Sequence, residues 1–236
     1  MNEISEIRKL SLWIFLVPLI SINLCLIISV NYSFLDNTIF SVDQIGRSGF
    51  SIPYIDGSLS ISRASRTYPQ FLIFKPAMLL TSFMLYFYWS KNNIIINKIK
   101  NKDSKSYKFK TFGILSAIFL AIHSLLLGVE FDIKLFKLLR RIVLLSFIIF
   151  EIIAQGLLVH EIYKLKGKMS LLFNKRILTL KIFLVSILVI VAILSIPILI
   201  TKGDVHFKHA LEWNYFIGVI LFYFLTRLFW KKRRTT

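Results

Sequence analysis

The chain has 236 residues, of which 56% are hydrophobic and 18% charged, with 22 phenylalanines and a formal net charge of +18. A soluble domain of this length carries more charge and interrupts its apolar runs more often. The Lys and Arg residues fall between long apolar runs, the pattern of cytoplasmic loops in a helical membrane protein, so no nucleic-acid role is read from the basic balance. The expected fold is all-α: a polytopic membrane protein built as one six-transmembrane-helix bundle over residues 1–236, both termini cytoplasmic, with no separate soluble domain.

The spans are expected at residues 10–30, 71–89, 112–129, 142–159, 180–200 and 213–230, each close to the roughly 20 residues that cross a bilayer as a helix. The first is longer than the apolar region of a signal peptide, and no small-x-small site follows it, so it reads as a retained span. It holds Cys25, the single cysteine, which excludes an intrachain disulfide.

With the N-terminus inside, twenty of the thirty basic residues lie on the cytoplasmic side and ten outside, a bias that supports both termini inside. This count takes Lys164 to Lys181 as one inner segment. The basic inner loops are expected to attract anionic lipid headgroups, at roughly 1 kcal/mol per residue near the surface. Usage rich in Lys, Ile, Asn and Phe points to an AT-rich genome and a bacterial cytoplasmic membrane.

Outer loop 31–70 is the longest connection, and loops beyond about 12–15 residues are often lids or binding loops. Turn signals stand at Gly46, Gly49, Pro53 and Asp56-Gly57, and Arg63 and Arg66 follow an alternating serine run. The loop is expected to cap the mouth of the bundle, with Asp56, Arg63 and Arg66 as substrate-binding groups and the arginines holding phosphate. Past it, Lys75 snorkels at the outer end of the second span. Phe87, Tyr88 and Trp89 at its inner end read as an interfacial aromatic belt, and Phe229-Trp230 as an inner anchor.

In the third span Ser116, His123 and Glu130 recur every seven residues and share a face. In the fourth, Glu151 lies near the midplane with Gln155 four residues on. An ionisable group there costs roughly 2.5–3.5 kcal/mol on insertion scales and normally faces protein or water. Depth arithmetic puts His123 about 3 Å outward of the midplane. Spans three and four are antiparallel neighbours across a short connection, so a Glu151–His123 contact is expected, either as the floor of an outward-facing polar cavity or as interhelical locking.

At the entrance to the last span, His206, His209 and Glu212 follow i, i+3, i+6 spacing. Imidazole with carboxylate is a zinc-type ligand set or an acid–base set, although no HExxH, phosphate loop or nucleophile elbow occurs. The candidate catalytic residues are therefore His206, His209, Glu212, Glu151 and His123. Trp213 and Asn214 join Arg63, Arg66 and Asp56 as substrate-binding candidates, or Trp213 anchors the interface. No cofactor is assigned.

The six-span layout, Pro53-Tyr54-Ile55 and Gly57 in the first outer loop, and His209, Glu212 and Trp213 at the last span resemble the superfamily of DRAM-like autophagy modulators and GPI-anchor lipid-remodelling factors. Where that family has Ser-Asp-Thr-Gly, this chain has Asp56-Gly57-Ser58. The resemblance implies handling or remodelling of membrane lipids or lipid anchors. Two other readings compete with it. One is a non-catalytic assembly or scaffold protein, the other a small proton-coupled transporter using Glu151 and His123.

Overall fold

Each of the six apolar runs becomes one long helix in the computed structural model, which describes residues 2–40, 51–100, 106–129, 134–167, 172–200 and 203–231. The long helices are α1 (Asn2–Val30), α3 (Gln70–Lys100), α4 (Lys108–Leu126), α5 (Lys134–Lys164), α6 (Lys175–Ile200) and α7 (Val205–Phe229). A short helix α2 (Ile61–Arg66) lies in the connection between α1 and α3, its N-terminus capped by the Ser60 hydroxyl, which accepts from the Arg63 amide. There is no strand among the described residues, only an isolated bridge between Phe173 and Trp230.

Five helices, all but α7 of the long ones, are long and apolar enough to cross a membrane. The first turns of α7 carry His206, Lys208, His209, Glu212 and Asn214, which dilute its apolar run.

The helices close into a ring in chain order: α1 packs on α3, α3 on α4, α4 on α5, α5 on α6, α6 on α7, and α7 back on α1. The connections after α3 are short and make consecutive helices antiparallel. Across the longer link α1 also runs antiparallel to α3, with Glu3 and Glu6 at Lys98 and Lys91 and Cys25 at Gln70 O. One end of the ring therefore gathers the start of α1 with the ends of α3 and α5, where Glu6 pairs with Lys91, Glu3 with Lys98 and Glu161 with Lys100. The other end carries the cap. Outward faces stay apolar and uncovered, as at Trp13 and Ile27 on α1, Phe83 on α3, and Phe183, Ile190 and Leu194 on α6. A helix apolar all round with one side uncovered is suited to lipid contact.

The interior corrects the aromatic belt. Phe87 is exposed, but Tyr88 and Trp89 are fully buried and face the bundle. Trp89 lies against the backbone of α4 at Gly113, where an added Cβ would stand 2.3 Å from the indole ring. Phe229 and Trp230 are also buried, Phe229 stacking on Phe173 with centroids 4.8 Å apart. At this end α7 turns back on the segment before α6, the Asn174 amide donating to Phe229 O and the Lys231 amide to Leu172 O.

The cap is integral to the core. Leu59, Ile61 and Ala64 join the buried cluster, and the Ser29 hydroxyl at the end of α1 donates to Ala64 O at 3.3 Å. Gly128, in the left-handed region at φ +79° just past α4, faces Arg66 O. Glu130, Gly46 and Gly49 lie outside the described residues.

Gly113→Ala should lower stability by about 1–3 kcal/mol, the usual cost of overpacking a filled interior. Thermal unfolding in detergent checks this. An unchanged midpoint would contradict the close Trp89–Gly113 approach.

Candidate functional site

The first constellation is a seam between the cap and the N-terminal half of α7. Gly57 sits at φ +60°, where a Cβ would lie 1.7 Å from His206 O, so only glycine lets the turn rest on the helix. One turn along, His209 Nδ1 meets Gly57 O at 2.9 Å. A carbonyl only accepts, so Nδ1 carries the hydrogen and Nε2 keeps a lone pair. Trp213 Nε1 donates to Leu59 O at 2.8 Å, and its ring meets Tyr54 edge-on at 4.8 Å. Asn214 Nδ2 donates to Tyr54 O at 2.7 Å, and the Tyr54 hydroxyl donates to Asn23 Oδ1 on α1 at 3.0 Å. Glu212 accepts from the amides of Ile61 and Ser62, the first turn of α2. Its carboxylate thus satisfies amide donors that a helix start leaves open.

Asp56 is exposed and organises the turn itself. Its carboxylate accepts from the Ser58 amide at 2.8 Å, the Ile52 amide at 2.8 Å and the Ser51 hydroxyl at 3.2 Å. These bonds, the Ser58 amide foremost, hold its carboxyl below the ordinary Asp value. Arg63 and His206 are exposed, and the Arg63 charge is felt at His209. Arg66 is half-buried, its Nε without a partner among the described residues.

The structure thus brings His209, Glu212, Trp213 and Asn214 together with the cap, and leaves Arg63 and His206 open at the edge. The zinc-type set is not assembled: His209 turns to Gly57 O, Glu212 to the α2 amides, and His206 to solvent. Among the described residues no three His, Cys, Asp or Glu side chains converge to hold a metal ion.

The second constellation is the interior around Glu151, which is fully buried on α5. Gln155 Nε2 donates to its Oε1 at 3.0 Å and also to Val219 O at 3.2 Å. The Tyr223 hydroxyl of α7 donates to the same Oε1, and Ser116 Oγ of α4 lies 2.6 Å from Oε2. The Trp89 indole is close by. Here the expected Glu151–His123 contact is corrected. Ser116 and His123 share a face of α4 but stand two turns, roughly 10.5 Å, apart, and the register of α4 on α5 sets Ser116 level with the carboxylate. His123 is buried further out, its Nδ1 without a partner among the described residues.

The interior also holds a lysine that the sequence reading counted with the basic inner segment, although it falls inside the fifth apolar run. Lys181 on α6 is 1% exposed. Its Nζ donates to Thr226 Oγ1 at 2.7 Å and lies over the Phe222 ring at 3.8 Å and the Phe229 ring at 5.4 Å. Tyr88 OH reaches the same Thr226 oxygen at 3.1 Å, and the Tyr88 and Tyr223 rings meet edge-on at 4.9 Å. Five helices thus contribute to one polar interior: Tyr88 and Trp89, Ser116, Glu151 and Gln155, Lys181, and Tyr223 and Thr226. The signal for Lys181 was its place inside an apolar run. A lysine one turn from a span end ordinarily snorkels, and α6 begins five residues earlier than the run suggests.

Fold and interior together define a multi-pass, all-helical membrane protein. Comparison with protein-family models, curated proteins and solved structures finds no match for this chain.

Two outcomes test these sites. Tyr223→Phe leaves Glu151 short of one donor and should cost about 1–3 kcal/mol, read by unfolding in mixed micelles. Asp56 has a depressed folded value, so its contribution is present above the unfolded value and fades as pH falls through the folded one. Hydrogen-exchange protection of residues 51–58 should therefore hold at neutral pH, drop below the ordinary Asp value of 3.8, and lose this pH dependence in Asp56→Asn.

Proposed function

We propose that the chain is a six-span integral membrane protein, both termini cytoplasmic, that handles or remodels membrane lipids or lipid-linked substrates at the outer headgroup level. The observation that carries this reading is the seam. The Pro53–Gly57 segment and the His209–Trp213 segment, some 152 residues apart in the chain, lie against each other at one end of the bundle. These are the residues on which the resemblance to lipid-remodelling factors rests. At the edge of the seam Arg63 is exposed and its charge is felt at His209, whose Nδ1 faces Gly57 O, and His206 is exposed one turn away on the same helix. A guanidinium is suited to a lipid phosphate, and an imidazole with a free lone pair to proton transfer at a bound headgroup. The two-to-one excess of basic residues on the opposite side supports the orientation, and α7 supplies the sixth span once its interior polar groups are satisfied by its neighbours.

A second reading, a non-catalytic assembly protein, is favoured by one observation: Glu212, Trp213 and Asn214 are all engaged in holding the cap. One experiment separates the two. Lipid extracts of cells lacking the chain should show an altered lipid class that the unaltered protein restores. Arg63→Ala and His209→Gln, the latter keeping a donor toward Gly57 O, should accumulate normally yet restore less than a tenth of the change. Full restoration by both variants supports the assembly reading, and an unaltered lipid profile on deletion counts against lipid handling.

A further inference from the structure

Glu151 is held by groups whose hydrogen count leaves room for one more proton. Oε1 takes donors from Gln155 and Tyr223. Oε2 meets Ser116 Oγ at 2.6 Å, and the same Oγ lies 2.9 Å from Gly113 O. A hydroxyl has one hydrogen and a carbonyl only accepts. When the Ser116 hydrogen points at Oε2, the carboxylate is ionised and Ser116 is a donor to it. When that hydrogen points at Gly113 O, Ser116 Oγ becomes an acceptor, and Oε2 must carry a proton to make the bond. Both arrangements use the same heavy-atom positions and leave no donor or acceptor of the Ser116–Glu151 pair orphaned. A rotation of one hydroxyl separates them.

The surroundings favour a group that changes charge rather than a fixed ion pair. Glu151 is the one fully buried carboxylate among the described residues, and no basic group touches it. The titratable groups facing it are Tyr223 on α7, Tyr88 on α3 and, beyond Thr226, Lys181 on α6. α4 contributes Ser116 and α5 itself Gln155. Thr226 donates to Phe222 O at 2.9 Å, so its oxygen accepts from both Tyr88 and Lys181, and Lys181 is thereby held on α7 and away from the carboxylate. A permanent charge at this depth without a paired counter-charge is costly. A carboxyl able to take a proton in place removes that cost.

We propose that Glu151, with Ser116 as its hydrogen-bond switch, is an exchangeable proton-binding site at the centre of the helix ring. On uptake, Oε2 gains a proton that originates as hydronium in the bulk solvent, which is left as water, and the Ser116 hydrogen turns from Oε2 to Gly113 O. On release the sequence reverses, and the interior gains or loses one unit of charge. This site is separate from the cap seam and does not rest on the lipid reading.

The test is infrared difference spectroscopy of the full chain in lipid nanodiscs as pH is stepped from alkaline to mildly acidic. A carbonyl stretch of a protonated carboxylic acid in a non-aqueous setting should appear on acidification and shift down in deuterated water. Glu151→Gln should abolish the band. Glu151→Asp, which keeps a carboxyl in case the amide variant does not fold, should move it. Ser116→Ala should shift it upward in frequency by removing the hydrogen-bond acceptor. Absence of any Glu151-dependent band across the pH range overturns the site. A band left in place by Ser116→Ala overturns the switch.

Discussion

The satisfaction of one buried carboxylate sets the register of half the bundle. Inside a ring of apolar helices a buried carboxylate is satisfied by protein donors, from its own helix or from its neighbours. Glu151 draws its partners from α4, α5 and α7. Sliding α4 by one turn would replace Ser116 at that height with an apolar residue and leave Oε2 bare. Gln155 ties the same point to the backbone of α7 at Val219. A purely apolar interface would tolerate several registers, since lipid-soluble helices gain little from one apolar contact over another. The polar interior selects one of them.

α7 is where the interior and the cap meet. Its outer turns, from His206 to Asn214, hold the first loop through Gly57, Leu59, Tyr54 and the start of α2. Its inner turns, from Val219 to Thr226, hold Gln155, Glu151, Tyr88 and Lys181. Between them Gly218 lets Leu188 of α6 approach, an added Cβ there lying 2.7 Å from Leu188 Cδ2, and the Tyr215 hydroxyl donates to Leu188 O. This division explains why α7, alone of the long helices, has no stretch long and apolar enough to count as a span. A helix that supplies hydrogen bonds to its neighbours along its whole length carries residues that composition alone counts against a span.

Much of the fold was legible because it rests on long apolar runs, which have few alternative uses in a chain. The Glu151–Gln155 face followed from helical spacing. What spacing could not supply was the register between helices. Ser116 and His123 stand seven apart on one face, so both satisfy the same periodic argument, and only the packing of α4 on α5 decides between them. Lys181, Tyr88 and Trp89 were misread for a related reason. Lysines and aromatics near span ends are usually interfacial, and the helices here continue past the apolar runs, which moves those positions inward. The seam residues His209, Trp213 and Asn214 were recognisable as a group. Their partners are backbone carbonyls of the loop, which no residue pattern marks.

The seam also constrains how any headgroup could be engaged. Trp213 is fully buried under Leu59 and Tyr54, and Glu212 and Asn214 are bound to the cap backbone. Lifting the cap would expose at once the Glu212 carboxylate, the amides of α2 and the Trp213 indole, each of which loses a partner at a cost of about 1–3 kcal/mol when buried. Approach from above through an opened cap is therefore the expensive route. Arg63 and His206 are already exposed, and the Arg63 charge is felt at His209. On the lipid-handling reading proposed above, a phosphate would reach Arg63 from the side, with the seam contacts kept. On that reading the cap would serve as a fixed wall rather than as a door.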